Sequence, residues 1–271
     1  MPYEVCCLKR YTFISLKKHA SLPTQCSSMN INGVHEGPKG LIVDVGCGIN
    51  HISTNFIRSR YANVDQIYSI DNDPEVIRFF NRYNEPKLLE IKEADITDWD
   101  FLMNKEGKVS KVVSLRCLDE VQDQKKAFEN IFRLLKRGGD MLVLMTINST
   151  FYELVDTVLR RDRWRKYFKG RYVIPESHTS RFTADYYRSL LHFIGFVEIT
   201  VSDMPRIVIY KKVTDFKEDV HHWSSCSSIP EECRQEFAEE VLSESVRLGK
   251  IRLENFCILY NTLWIHAGKP L

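Results

Sequence analysis

The 271-residue sequence has no run of about 18 consecutive apolar residues, so it offers no membrane-spanning helix. It has no surplus of one charge. Thirty-eight Lys and Arg stand against 36 Asp and Glu, and a net charge of +2 provides no general attraction for nucleic acid, which is not an expected partner on composition. No C-x-x-C pair occurs among its eight cysteines, Cys6, Cys7, Cys26, Cys47, Cys117, Cys226, Cys233 and Cys257. Several lie in apolar runs, where a free thiol behaves as a small hydrophobe, so they read as reduced and the chain as cytoplasmic. His221, His222, Cys226 and Cys233 are neighbours in sequence, but their spacing fits no common zinc site and no metal is expected. The apolar stretch Tyr11–Leu16 is short for a signal peptide, and no clear small-residue cleavage site follows it. Internal repeats and low-complexity tracts are not evident.

What is present is ordinary globular composition, 44% hydrophobic and 27% charged, enough for one sizeable core with an appendage. Residues 1–38 read as an N-terminal extension, polar toward its end with Pro23, Gly33, Gly37 and Pro38. Residues 39–271 read as one domain. Its organising stretch is Leu41–Asn50, LIVDVGCGIN: a short apolar run, an acid at Asp44, then Gly46 and Gly48 on either side of Cys47. An apolar strand running into a glycine turn and a helix start, here Ile49–Arg60, is a nucleotide-binding geometry, because glycine takes positive φ and lets a ligand approach the backbone. There is no third glycine of a G-x-G-x-x-G dinucleotide fingerprint. An acid at the strand end repels phosphate and attracts an ammonium group.

Strands and helices alternate from there. The sequence pattern predicts strands at Gln66–Asp71, Lys87–Lys92, Lys111–Leu115, Met141–Ile147, Phe196–Val201 and Ile258–Ala267. Helices are predicted at Glu75–Asn84, Thr97–Met103, Gln122–Leu135, Phe151–Phe168, Thr183–Phe193 and Pro230–Leu248. This order implies an α/β fold with a doubly wound, mostly parallel seven-stranded sheet, and residues 204–254 read as a helical insertion before the last strand. Ligands of such sheets bind at the carboxyl ends of the strands. The candidates there are the Asp44–Gly48 turn, Asp71 for the two hydroxyls of a ribose, and Asp95 for an adenine amino group. Asn72 and Ile96 flank the adenine, and Leu115 starts the turn that runs to Glu120.

Glycine turn, acid, second acid and the Lys136–Gly139 break together resemble the class I methyltransferases, which use S-adenosyl-L-methionine (SAM). Within that class, Ser114–Gly139, SLRCLDEVQDQKKAFENIFRLLKRGG, is similar to the arthropod juvenile hormone acid O-methyltransferases and their relatives. Trp164, Tyr167, the Ile174-Pro175 pair and Gly195-Phe196 also agree with it. The resemblance implies SAM as cofactor, a Rossmann-like fold, and transfer of a methyl group to a small lipophilic carboxylic acid. The family has His-Trp where this chain has Asp119-Glu120, so two other readings stand beside that one: a catalytically degenerate SAM-binding relative, or a methyltransferase acting on RNA or protein. Asp119 and Glu120 are candidate substrate residues, as are Trp164 and Tyr167, on a basic, aromatic stretch that reads as a cover over the acceptor. The sequence sets no oligomeric state and names no catalytic residue.

Overall fold

The computed structural model describes residues 40–49, 52–61, 64–81, 89–168, 174–221, 223, 226, 228–248, 251–252 and 255–271. The expected extension 1–38, together with Asn50, His51 and His222, lies outside the described residues. The strands are β1 (Leu41–Val45), β2 (Gln66–Asp71), β3 (Leu89–Glu93), β4 (Val109–Leu115), β5 (Leu135–Ser149), β6 (Val197–Tyr210), β7 (Ile251–Arg252) and β8 (Asn255–Gly268). Their order in the sheet is β3-β2-β1-β4-β5-β8-β6, with the two-residue β7 paired antiparallel to β8. The β1–β2, β2–β3, β1–β4 and β4–β5 pairs are parallel. The chain therefore winds outward from β1 through β2 to β3, then returns to place β4 on the other side of β1. That reversal is the switch point at which open α/β sheets bind ligands.

The helices are α1 (Ile52–Arg60), α2 (Pro74–Asn81), α3 (Trp99–Leu102), α4 (Gln124–Leu134), α5 (Thr150–Leu159), α6 (Asp162–Arg165), α7 (Glu176–Thr179), α8 (Ala184–Ile194), α9 (Val213–His221) and α10 (Glu231–Arg247). Local chemistry sets several of their ends. Pro74 opens α2 while Asp73 Oδ1 accepts the Glu75 N–H at 2.9 Å. Asp123 accepts the Lys126 N–H at the start of α4, and Thr183 accepts that of Tyr186 at the start of α8. Gly195, at φ 110°, closes α8 in the left-handed region.

Three elements differ from the sequence reading. The expected helix Phe151–Phe168 breaks into α5, α6 and a 3-10 turn at Lys166–Phe168, because Arg161 takes an extended conformation and its guanidinium reaches Glu240 and Glu244. Strand β5 begins at Leu135 rather than Met141. Lys136–Gly139 forms an irregular stretch of that strand, where Gly138 N–H bonds to the Lys269 carbonyl and Lys269 N–H to that of Gly139. Strand β6 continues past Val201 to Tyr210, with Pro205 tolerated because β6 ends the sheet.

Contacts group the described residues into two compact units. One draws on residues 40–147, Ser180–Met204 and Thr262–Leu271. Its core packs Val43, Val45, Val112, Val143 and Met145 of the sheet with Phe128, Ile131 and Leu134 of α4 and with Leu263 and Ile265. The other includes Asn148–Thr179 and Pro205–Asn261. Its core joins Phe151, Leu154, Val155, Trp164, Phe216, Phe237 and Ile258. No helix among the described residues is long and apolar enough to cross a membrane.

Candidate functional site

The carboxyl ends of β1, β2 and β4 bring the expected acids and glycines together. Asp44, on β1, is fully buried. Its Oδ2 accepts the Thr54 hydroxyl from α1 at 2.7 Å, and the Ser69 hydroxyl of β2 lies at 3.4 Å. Burial pushes the Asp44 carboxyl up to about 6, against the hydroxyls of Ser53, Thr54 and Ser69, which favour its charged form. Asp44 Oδ1 has no hydrogen-bond partner among the described residues. A buried acceptor of this kind has room for one further donor.

The turn after β1 is held from both sides. Gly46 N–H bonds to the Ile70 carbonyl of β2 at 2.8 Å. A Cβ at Gly46 would collide with the side chain of Cys117, so the loop after β4 packs directly on this glycine. Both Gly46 and Gly48 have positive φ, 74° and 58°, and the position a Cβ would take at Gly48 is open for 4 Å. Cys47 is buried between them, and burial raises its thiol well above the ordinary range.

Asp71, at the end of β2, accepts Gly48 N–H through Oδ2 and Asp73 N–H through Oδ1, each at 3.0 Å. Its carboxylate thus ties the glycine turn to the neighbouring strand end. Asp95, after β3, accepts both the N–H and the hydroxyl of Thr97 at 2.8 Å in a local turn, and Asn72 Nδ2 approaches its other oxygen at 3.5 Å. Ile96 is buried, with its carbonyl accepting Asn130 Nδ2 at 2.8 Å. Leu115 is buried at the end of β4.

The segment after β4 turns sharply, with Arg116 at φ 62° and a 3-10 turn at Leu118–Glu120. Glu120 is exposed, whereas Asp119 is buried with Oδ1 lacking a partner among the described residues. Burial, and then the neighbouring Glu120 charge, push the Asp119 carboxyl up to about 7, although backbone hydrogen bonds from Asp119 itself and from Thr146 favour its charged form. Gln124 fixes the turn from α4, donating to the Leu118 carbonyl at 3.1 Å while its Oε1 accepts the Tyr187 hydroxyl at 2.6 Å.

Trp164 and Tyr167 are not an open wall. Trp164 is 1% exposed, packs edge-on against Phe237 at 5.2 Å between ring centres, and donates Nε1–H to Glu240 at 2.9 Å. Its reading as an acceptor-facing residue is corrected to a core role, since its surface is already used. Tyr167 is half-buried against the same core, its ring 6.4 Å from that of Trp164. Two of the basic residues around them are paired: Arg161 with Glu240 and Glu244, and Arg163 with Glu236 and Glu240.

Thr54 and Ser69 went unrecognised in the sequence, and Cys117 reads there only as part of the Leu115–Glu120 turn. Ser69 carries a usable signal, because it stands two residues before Asp71 on a strand and shares its face. Thr54 and Cys117 carry none, since each meets the turn only through the fold.

Residues 43–143 match the model of a family described as a methyltransferase domain. By its sheet the chain has the class I methyltransferase fold, and by this domain it is similar to that class, whose cofactor is SAM. Among particular relatives, the juvenile hormone acid O-methyltransferase of Drosophila melanogaster is 23% identical over 220 residues, which span 79% of this chain and 73% of that one. Phosphoethanolamine N-methyltransferase 2 of Haemonchus contortus, solved with SAM, aligns at a TM-score of 0.52 and 18% identity. That alignment covers 92% of this chain and 53% of the nematode chain, so this chain spans about half of its length. The YcgJ protein of Bacillus subtilis aligns at a TM-score of 0.59 and 12% identity, over 92% and 99% of the two chains. The two structural likenesses are likenesses of fold.

Proposed function

We propose that this chain transfers the methyl group of SAM to the carboxylate of a small lipophilic acid. The observation that carries the reading is the turn at the switch point. An orphaned buried oxygen on Asp44, an open backbone at Gly48 and the Asp71 carboxylate converge there, and together they suit a ligand with a cationic head and a ribose. In this reading Asp44 faces the ammonium end of SAM, and Gly46, Cys47 and Gly48 offer it their backbone. Asp71 accepts from the ribose hydroxyls, Asn72, Ile96 and Leu115 flank the adenine, and Asp95 accepts from its amino group. The cofactor supplies a methyl group on a sulfonium sulfur; the acceptor oxygen bonds to that carbon as the C–S bond breaks, leaving the neutral thioether.

A carboxylic acid is ionised at neutral pH, so the protein need not remove a proton. Its contribution is alignment and an apolar pocket for the rest of the acid. The likeness to the insect enzyme and the match at Ser114–Gly139 support a lipophilic acid as acceptor. The scattered thiols agree with a cytoplasmic setting.

A second reading rests on Asp119, which is buried with one oxygen unpaired. An ionised carboxylate there repels an acid acceptor. The chain would then bind SAM without methylating acids, or would serve a hydroxyl or amine whose proton Asp119 accepts. Calorimetry with SAM followed by methyl transfer to a panel of lipophilic acids separates the two. Turnover on any such acid supports the first reading, whereas SAM binding with no transfer to acids supports the second.

A further inference from the structure

The loop from Arg116 to Glu120 carries an acid that the proposed cofactor contacts do not use. Asp119 is buried, and its Oδ1 has no hydrogen-bond partner among the described residues. A buried polar atom of this kind asks for a partner. The loop lies against the cofactor turn, because a Cβ at Gly46 would meet the side chain of Cys117. In the arrangement proposed above, Asp44, Asp71 and Asp95 serve the ammonium, ribose and adenine of SAM. Of the candidate acids, that leaves Asp119 for the acceptor.

What Asp119 can offer depends on its proton. Burial penalises a charged carboxylate and favours the neutral acid. The charges acting on it belong to its own loop: Glu120 adds to the effect of burial, and Arg116 opposes it more weakly. From the neighbouring elements come neutral groups. Strand β5 provides the Thr146 N–H, while Gln124 of α4 is engaged with the Leu118 carbonyl and accepts the Tyr187 hydroxyl of α8. With its carboxyl pushed up to about 7, Asp119 holds its proton over much of the neutral range. A neutral carboxyl donates a hydrogen bond, which an ionised one cannot do. Given to a carboxylate, that bond is of the strong, charge-assisted kind. Once ionised, the same group repels the carboxylate it held.

We propose that Asp119, in its protonated form, donates a hydrogen bond to the carboxylate of the acid acceptor and so selects and positions it for methyl transfer. The inference rests on acid methylation being the reaction. It separates Asp119 from a general base, which would act on a hydroxyl or amine only when ionised. The test is methyl transfer by the full chain to a panel of lipophilic acids, decanoic and dodecanoic acid among them, at pH 6 and pH 8.5. Such acids are ionised at both values. Asp44, pushed up to about 6, titrates in the opposite sense, since its ionised form suits the ammonium of SAM. SAM is therefore kept saturating, and KM for the acid is the quantity read. In the parent chain that KM is expected to rise on the order of tenfold or more from pH 6 to pH 8.5, as the protonated fraction of Asp119 falls. D119N keeps a donor in its amide and does not titrate, so it is expected to retain transfer with a KM that is level across the two values. A purely structural Asp119 would move the melting temperature with pH but not this KM. Transfer to acids with a KM that is level or falls with pH in the parent overturns the inference and leaves acid methylation standing. So does loss of transfer in folded D119N, the result a general base predicts. If D119N does not fold, the pH dependence of the parent decides alone. A pH dependence that D119N removes from SAM affinity rather than from KM assigns the hydrogen bond to the carboxylate of SAM itself, and overturns the inference too. No transfer to any acid at either pH, with SAM bound, overturns the proposed acceptor and the inference with it.

Discussion

The Asp71 carboxylate accepts the backbone N–H of Gly48, 23 residues earlier in the chain, at 3.0 Å. One side chain thereby locks the glycine turn of β1 onto the end of β2, and its other oxygen accepts Asp73 N–H. The same carboxylate is the proposed ribose acceptor, so its loss acts on the turn and on the ligand together. Asp71→Ala is expected to weaken SAM binding by about 1.5–3 kcal/mol, the scale of a hydrogen bond to a charged group. Asp71→Asn keeps one acceptor oxygen and should lose less. Calorimetry on both folded variants checks this, and an unchanged affinity in Asp71→Ala would remove the residue from the site.

The two glycines of the turn differ in what surrounds them. At Gly46 an added Cβ meets Cys117, and at Gly48 it meets nothing, although both have positive φ. Gly46→Ala must therefore push the β4 loop away and should lower the melting temperature sharply. Gly48→Ala carries only the backbone penalty, on the order of 1–2 kcal/mol, but it puts a methyl group where the cofactor is expected to approach. Thermal melts and SAM titrations of the pair should therefore separate. Gly46→Ala loses stability first, and Gly48→Ala loses affinity out of proportion to stability.

Asp119 makes stability depend on pH. Its ordinary value is 3.8 and in the fold it is pushed up to about 7. The folded chain thus favours the protonated form, so the contribution is fully present below 3.8 and is lost as pH rises through about 7. Asp119→Asn has no such loss. Its stability relative to the parent is expected to improve by about 1.5 kcal/mol between pH 6 and pH 8.5, one unit of titration being worth roughly 1.4 kcal/mol. Asp44, whose carboxyl is pushed up only to about 6, is present in both proteins and cancels in this comparison. Urea melts at the two pH values provide the measurement, and a constant difference would contradict the assignment.

Much of the sheet was legible because its signals are local. Apolar runs ending in Asp44 and Asp71, a proline after Asp73 and a glycine after α8 each act within a few residues. The expectations that missed concern partners far along the chain. Lys136–Gly139 reads as a helix stop, and only the return of Lys269 makes it strand. The predicted strand stops at Val201, and the position of β6 at the sheet edge lets it continue past Pro205. The break at Arg161 depends on α10, whose Glu240 and Glu244 lie 79 and 83 residues away. In the site, acid and glycine positions could be read from spacing, but the hydroxyls that hold Asp44 and the sulfur that packs on Gly46 could not.

Trp164 and its arginines provide the last prediction. The indole ring lies against Phe237, and its N–H is bonded to Glu240, 76 residues away. Arg161 and Arg163 converge on the same α10 carboxylates. Trp164→Ala leaves a cavity and takes one hydrogen bond from Glu240, so it should destabilise the chain by about 3–5 kcal/mol. Trp164→Phe fills most of the cavity and should lose about 1–2 kcal/mol, chiefly the bond to Glu240. Neither change touches the Asp44–Asp71 turn, so folded Trp164→Phe should keep its SAM affinity within about twofold, less than half of the 1.4 kcal/mol that corresponds to tenfold. The same ion pairs bear on RNA. Phosphates would have to displace Glu236, Glu240 and Glu244 from the arginines, so RNA binding should be weak and its dependence on salt shallow. Filter binding in low and moderate salt measures this. Tight binding that falls steeply with salt and is abolished in Arg163→Glu would show that the arginines leave α10 for RNA, and would restore the RNA-methyltransferase reading over the small acid.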